Sequence, residues 1–236
     1  MKIGGFQKFS LLDYPEELAA IIFTQGCNFR CPYCHNPELV LPEIYSPLLK
    51  TEEILRFLYR RRQKLTAVVV TGGEPCLQED LVDLLKILKA MRYKVKLDTN
   101  GASPEMLAKV IYAQAVDYIA MDLKAPLPLY RKLTRSKVKK EDIIRSMELI
   151  RLSGLNYEFR TTVANEILFG DDLLSISELL KEGDHYYLQP CNYSTTLGDL
   201  KQHELPKLDL KHSKTFGELK NWADQHRVRL AIRGEQ

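Results

Sequence analysis

The chain has no run of about eighteen apolar residues, so no stretch of it has the length to cross a bilayer as a helix. Its start, Met1-Lys2-Ile3-Gly4-Gly5-Phe6-Gln7, lacks the charged-then-apolar pattern of a secretory signal. A cytoplasmic protein that engages no membrane is expected. Net charge is scarce too: 34 basic and 31 acidic residues leave +3, too little to argue for nucleic acid as a partner. The densest basic stretch, Arg131 to Lys140 (RKLTRSKVKK), reads as a solvated loop. Low-complexity tracts, close internal repeats and Gly/Ser linkers are missing, and residues 1–236 are expected to form a single domain. Cysteine is sparse and odd in number, five in all, yet three fall between positions 27 and 34. That count excludes a secreted disulfide framework, and clustered thiols in a reducing compartment mean metal or redox chemistry.

What is present is apolar material in a regular order. Hydrophobic residues make up 45% of the chain, and β-branched runs at 18–24, 67–71, 95–98, 118–121, 157–163 and 185–189 read as strands. Segments of helical spacing lie between them, among them Ile54/Phe57/Leu58, Leu81/Leu84/Leu85/Leu88 and Leu107/Val110/Ile111. A last helix through Phe216, Leu219 and Trp222, with Trp222 expected in the core, and a strand at 228–232 close the chain. Regular βα alternation predicts a parallel sheet with right-handed crossovers. Nearly every strand ends in polar residues, which suits a curled sheet with its site at the C-terminal strand mouths better than an open sheet with one switch point. The expected fold is α/β, a partial, open (β/α)6 TIM-like barrel with a short C-terminal helix and strand.

After the first of these strands the chain reads Gly26-Cys27-Asn28-Phe29-Arg30-Cys31-Pro32-Tyr33-Cys34-His35. Cysteine spacings of four and three let one loop wrap its thiolates around a single centre, and soft thiolates select zinc or iron–sulfur. Zinc would need His35 as a fourth ligand, since structural zinc sites are four-coordinate, but adjacent Cys34 and His35 seldom point at one ion without strain. Three thiolates on a cubane would leave one iron open to a small molecule. Both arrangements stand on spacing alone.

The pattern C-x-x-x-C-x-x-C with Tyr33 before the third cysteine resembles the signature of the radical S-adenosylmethionine superfamily. The resemblance implies a [4Fe-4S] cluster on Cys27, Cys31 and Cys34, with S-adenosylmethionine (AdoMet) chelating the open iron and Tyr33 and His35 beside it. Thr71-Gly72-Gly73-Glu74-Pro75 resembles the superfamily's glycine-rich motif, whose backbone and Glu meet the methionine ammonium; Gly72, Gly73 and Glu74 are the matching residues. Leu97-Asp98-Thr99 and Met121-Asp122-Leu123-Lys124 are similar to strand ends of the glycyl-radical-enzyme activases. There Asp98, Thr99, Asp122 and the Leu123 carbonyl would build a monovalent cation site, and Lys124 would neutralise charge. For Asp98 and Asp122 the ordinary alternative is a cap or turn. Arg160 and Thr162 alternate on the fifth strand and so share a face, where both could touch the nucleoside; a structural salt bridge is the equal alternative for Arg160. At the sixth strand Asn192 stands where the pyruvate formate-lyase activases carry a His. Cys76 and Cys191 read as small packing residues.

The segment from Gly5 to Pro15 (GFQKFSLLDYP) resembles a subgroup that activates anaerobic ribonucleoside-triphosphate reductase. The resemblance implies reductive cleavage of AdoMet to a 5′-deoxyadenosyl radical, which abstracts a glycine α-hydrogen from a glycyl radical enzyme. It further implies an electron donor such as flavodoxin or ferredoxin. No general acid or base is expected beyond the cluster. Two alternatives stay open: a radical enzyme acting on a small molecule, and a zinc-binding interaction module.

Overall fold

The computed structural model describes residues 1–164, 167, 168, 170–193, 196–198 and 210–233. Among the described residues there are eight strands: β1 (Ile3–Ser10), β2 (Ala19–Thr24), β3 (Ala67–Gly72), β4 (Lys94–Thr99), β5 (Tyr118–Asp122), β6 (Asn156–Val163), β7 (His185–Pro190) and β8 (Arg229–Ile232). The helices are α1 (Pro37–Val40), α2 (Thr51–Arg61), α3 (Leu81–Ala90), α4 (Pro104–Tyr112), α5 (Tyr130–Thr134), α6 (Lys140–Leu152), α7 (Asp171–Ser177) and α8 (Lys214–His226). Strand order follows the chain from β1 to β8. The six strands expected from sequence are β2 to β7, each within a residue of its expected ends. Among the described residues β1 is a strand the sequence reading did not expect, and it pairs antiparallel with β2 through two register shifts.

The described residues group into two compact units. The first comprises Met1–Asn28, Asn36–Ala120 and Glu141–Tyr157; the second comprises Phe29–His35, Met121–Lys140 and the chain from Glu158. In the first unit, β2 pairs in parallel with β3, and β3 with β4. Ala19 to Ile22 and Ala67 to Val70 are all buried, as in strands covered on both faces. Helix α3 buries Leu81, Leu84, Leu85 and Leu88, a stripe at helical spacing. Tyr14, Ala19, Ile21, Ala67 and Val69 form a cluster that Phe23 and Tyr118 extend. Helix α2 begins with Glu52 and Glu53 and ends with Arg60 and Arg61, matching both ends of its dipole.

In the second unit β6, β7 and β8 run parallel. Phe159, Tyr186 and Leu188 are fully buried, and α8 is capped by the Ser213 hydroxyl, which accepts from the Phe216 N–H at 3.1 Å. Two expectations are corrected here. Trp222 is only half-buried and stacks on the His226 ring 4.2 Å away, while Leu219 and Ala223 fill the core. The basic stretch after Tyr130 is solvated as expected, with all of its lysines and arginines exposed, but it is not a loop throughout: it starts as helix α5 with Thr134 fully buried, turns at left-handed Arg135, and is held by Arg131 Nε donating to the Val138 carbonyl at 2.8 Å. Among the described residues no helix is long and apolar enough to cross a membrane.

Candidate active site

In the first unit the site begins where β2 and β3 end. Gly72 has φ +115°, and a Cβ on it would lie 2.3 Å from the Thr24 nitrogen; a Cβ on Gly73 would lie 2.1 Å from the Gly26 carbonyl oxygen. Only glycine permits this approach of one backbone to another. It lets Gly73 N–H donate to Thr24 and Glu74 N–H donate to Gly26, both at 2.8 Å, which fixes the backbone just before Cys27. Gly73→Ala is expected to lower stability by about 3 kcal/mol, since the neighbouring group is backbone and cannot swing away; urea unfolding of the cluster-free protein measures it.

Glu74 is 1% exposed. Its Oε1 accepts from the Cys76 N–H at 2.9 Å and the Thr99 hydroxyl at 2.8 Å, and Oε2 accepts from the Asn100 N–H at 2.6 Å. Burial pushes its carboxyl above the ordinary value, against these donors. Both oxygens are thus engaged in tying the end of β3 to the end of β4. Asn100, which the strand-end pattern shows only as part of a turn, is 5% exposed and directs its amide to Asn28 Oδ1 at 2.9 Å and toward Cys27 Sγ at 3.9 Å. Asp98 lies two residues along β4 from Lys96, whose Nζ is 3.2 Å from Asp98 Oδ1.

In the second unit the Cys loop closes as a turn, Cys34 N–H donating to the Cys31 carbonyl at 3.0 Å. Tyr33 is buried, and its hydroxyl donates to the Lys124 carbonyl at 2.6 Å. Asp122 takes two cations: Lys124 Nζ donates to Oδ2 at 3.0 Å and Arg160 Nε to Oδ1 at 2.9 Å. Burial would raise the Asp122 carboxyl, but Arg160 and Lys124 outweigh it and bring it down to about 2. Burial works against the charge on Lys124, yet Asp122 holds its ammonium well above the ordinary value. The Leu123 carbonyl accepts from the Thr161 hydroxyl at 2.8 Å, which itself accepts from Tyr186 at 2.8 Å. Arg160 also lies 3.8 Å from Glu158, whose carboxylate receives both Arg233 amino groups at 2.7 and 2.8 Å. Glu158 and Arg233 extend the network beyond the groups expected from sequence.

His35 Nε2 accepts from the Asn192 N–H at 3.1 Å and lies 3.5 Å from Cys191 Sγ. Burial and the Lys124 charge lower its pKa, which suits a neutral acceptor. The expected His35 and Asn192 thus meet each other, through backbone rather than through the Asn amide. Thr162 sits opposite Gln189 in the β6–β7 register. Asp122, Leu123, Lys124, Arg160 and Tyr33 are therefore brought together in the second unit, and Gly72, Gly73, Glu74 and Thr99 in the first.

The surroundings of each thiol, taken within its own unit, suit an anionic metal–sulfur ligand. None of Cys27, Cys31 and Cys34 is in a disulfide. The Lys124 ammonium lies within electrostatic reach of Cys31 and Cys34, and the Asn100 amide nitrogen is 3.9 Å from Cys27 Sγ. Burial pushes the Cys31 thiol up to about 11, so a thiolate there needs a cation.

Residues 21–174 match the family model described as the Radical SAM superfamily. The chain belongs to that superfamily. Radical SAM enzymes use a [4Fe-4S] cluster with cysteine ligands and AdoMet. The chain is 29% identical over 239 residues, 98% of its length, to a protein of Methanocaldococcus jannaschii provisionally named a glycyl-radical enzyme activating enzyme, covering 95% of that protein. It is 30% identical over 128 residues, 52% of each chain, to the pyruvate formate-lyase-activating enzyme of Clostridium pasteurianum. Among solved structures it resembles Streptococcus suis SuiB with a TM-score of 0.64 at 17% identity, covering 91% of this chain and 48% of SuiB. It also resembles anSMEcpe with bound AdoMet, with a TM-score of 0.63 at 16% identity over 87% of this chain and 61% of that one. The chain spans about half the length of these solved relatives, and the likeness shows the fold alone: the α/β, TIM-like arrangement expected from sequence.

Proposed function

We propose that this radical SAM enzyme is a glycyl-radical-enzyme activase, with its cluster on Cys27, Cys31 and Cys34. The near full-length match to a provisionally named activase carries this reading. The bound cluster would supply one electron for reductive cleavage of AdoMet, giving methionine and the 5′-deoxyadenosyl radical that takes a glycine α-hydrogen. The chain's own residues bind and orient. Gly72 and Gly73 hold the backbone leading into Cys27, and Tyr33 pins its loop to the Lys124 carbonyl. Lys124, fixed by Asp122, sets a positive charge toward Cys31 and Cys34, where the bound group is negative. With Asp122 and Arg160 already paired, Lys124 has no proton to give at neutral pH, consistent with a site that holds charge rather than moving protons.

The partner we propose is anaerobic ribonucleoside-triphosphate reductase, on the Gly5 to Pro15 segment. Anaerobically reconstituted protein, reduced by dithionite or flavodoxin, is expected to convert AdoMet to 5′-deoxyadenosine, and to raise a glycyl radical in the reductase seen by electron paramagnetic resonance. Cleavage of AdoMet without a radical in any glycyl radical enzyme would favour the small-molecule reading. Zinc without iron or sulfide, and no AdoMet cleavage, would overturn the proposal.

A further inference from the structure

The most unusual residue in the described interior is Lys96. It sits mid-strand on β4, between Val95 and Leu97, and its side chain is 1% exposed. Its ammonium donates to the Asp13 carbonyl at 2.7 Å, lies 3.2 Å from Asp98 Oδ1, and stands 5.7 Å from the Tyr118 ring centroid. The contact with Asp13 is a hydrogen bond, whereas that with Asp98 Oδ1 is an ion pair without hydrogen-bond geometry, so charge rather than a shared proton joins the two side chains. The group is therefore fixed where it is.

Stability alone is a poor reason for such a residue. A buried ion pair seldom repays its desolvation against apolar residues of equal volume, and the Lys96 ammonium stands over the apolar face of the Tyr118 ring. The pair is more intelligible from what Asp98 is expected to do. The activase resemblance assigns Asp98 to a monovalent cation beside the methionine carboxylate of AdoMet, together with Asp122 and the Leu123 carbonyl. In this chain each of those groups already has a partner from its own unit. Asp98 has the Lys96 ammonium, Asp122 has Lys124 and Arg160, and the Leu123 carbonyl has the Thr161 hydroxyl.

We propose that the Lys96 ammonium is a built-in counter-ion for Asp98, taking the place of an alkali metal ion, so that AdoMet binding by this enzyme is independent of sodium and potassium. The inference rests on the radical SAM activase reading for the role of Asp98. It makes Lys96 a positioning residue, acting through Asp98 rather than on AdoMet. An ammonium and a potassium ion carry the same charge, but the lysine is tethered, so no ion has to be captured from solution.

The test compares AdoMet binding by the reconstituted enzyme, read by equilibrium dialysis, in potassium chloride and in tetramethylammonium chloride at equal ionic strength. The wild-type Kd is expected to agree within about twofold between the two salts, and its urea unfolding midpoint to be unmoved by potassium. Lys96→Met is expected to bind about tenfold more weakly in tetramethylammonium and to recover in potassium, because the ion then fills the place of the ammonium. A wild-type Kd that weakens about tenfold without alkali ion would overturn the proposal even if the variant fails to fold. So would a Lys96→Met protein of full cluster content that binds as wild type in both salts, or that potassium does not rescue. Absence of AdoMet binding in either salt would instead count against the activase reading itself.

Discussion

Cys31→Ala, prepared without oxygen, is expected to retain no iron–sulfur cluster and to reduce AdoMet cleavage to background. Lys124→Ala should take up the full cluster and bind AdoMet about 10- to 100-fold more weakly, the range typical for groups supporting a metal site. The contrast follows from where the two groups stand. Cys31 is buried at the head of the Cys31–Cys34 turn, where burial pushes its thiol up to about 11. A bound metal must displace that proton, and two remaining thiolates cannot hold a cubane that needs three. Lys124 instead lies against Asp122 with its charge toward Cys31 and Cys34, so it tunes and supports a group it does not ligate. Iron and sulfide analysis with visible absorption separates the two variants. Equal loss of cluster in both would mean that Lys124 is structural for the loop.

The difference between these residues was legible in the sequence for one and only in part for the other. The three cysteines announce themselves by spacing, and β2 and β3 by apolar runs rich in β-branched residues and buried on both faces, a pattern set by local chemistry. The strand β1 does not, because Gly4, Gly5 and the exposed Gln7, Lys8 and Phe9 break the alternation, and its pairing with β2 needs two register shifts. Lys96 is hidden for a similar reason. Between Val95 and Leu97 a lysine reads as the wet face of a strand, whereas the folded chain brings the Asp13 carbonyl and the Tyr118 ring against it. Glu74 reads as a ligand group from its motif, whereas its surroundings show three donors from the ends of β3 and β4. The Glu158–Arg233 contact joins positions 75 apart, a distance over which no periodicity carries information.

Asp122→Asn is expected to cost about 3 kcal/mol of stability, at the lower end of the range for breaking a buried pair by removing one partner. Asp122 faces two cations, and the change leaves them unequal. Arg160 keeps Glu158 at 3.8 Å, which is itself held by Arg233, whereas Lys124 loses the carboxylate bound to its Nζ. The cost therefore falls on Lys124, and Lys124→Met should restore part of the stability of Asp122→Asn while leaving AdoMet binding weak. The pH dependence has a definite sign. The folded carboxyl of Asp122 is lowered from 3.8 to about 2, with burial opposing and Arg160 and Lys124 prevailing. A carboxyl lowered on folding stabilises the native state above its unfolded pKa and ceases to do so as pH falls through its folded value. The gap between wild type and Asp122→Asn in urea unfolding should accordingly be flat through neutral pH and narrow only between about pH 4 and pH 2. A gap that narrows already near pH 6 would assign the stabilisation to a histidine and not to this carboxylate.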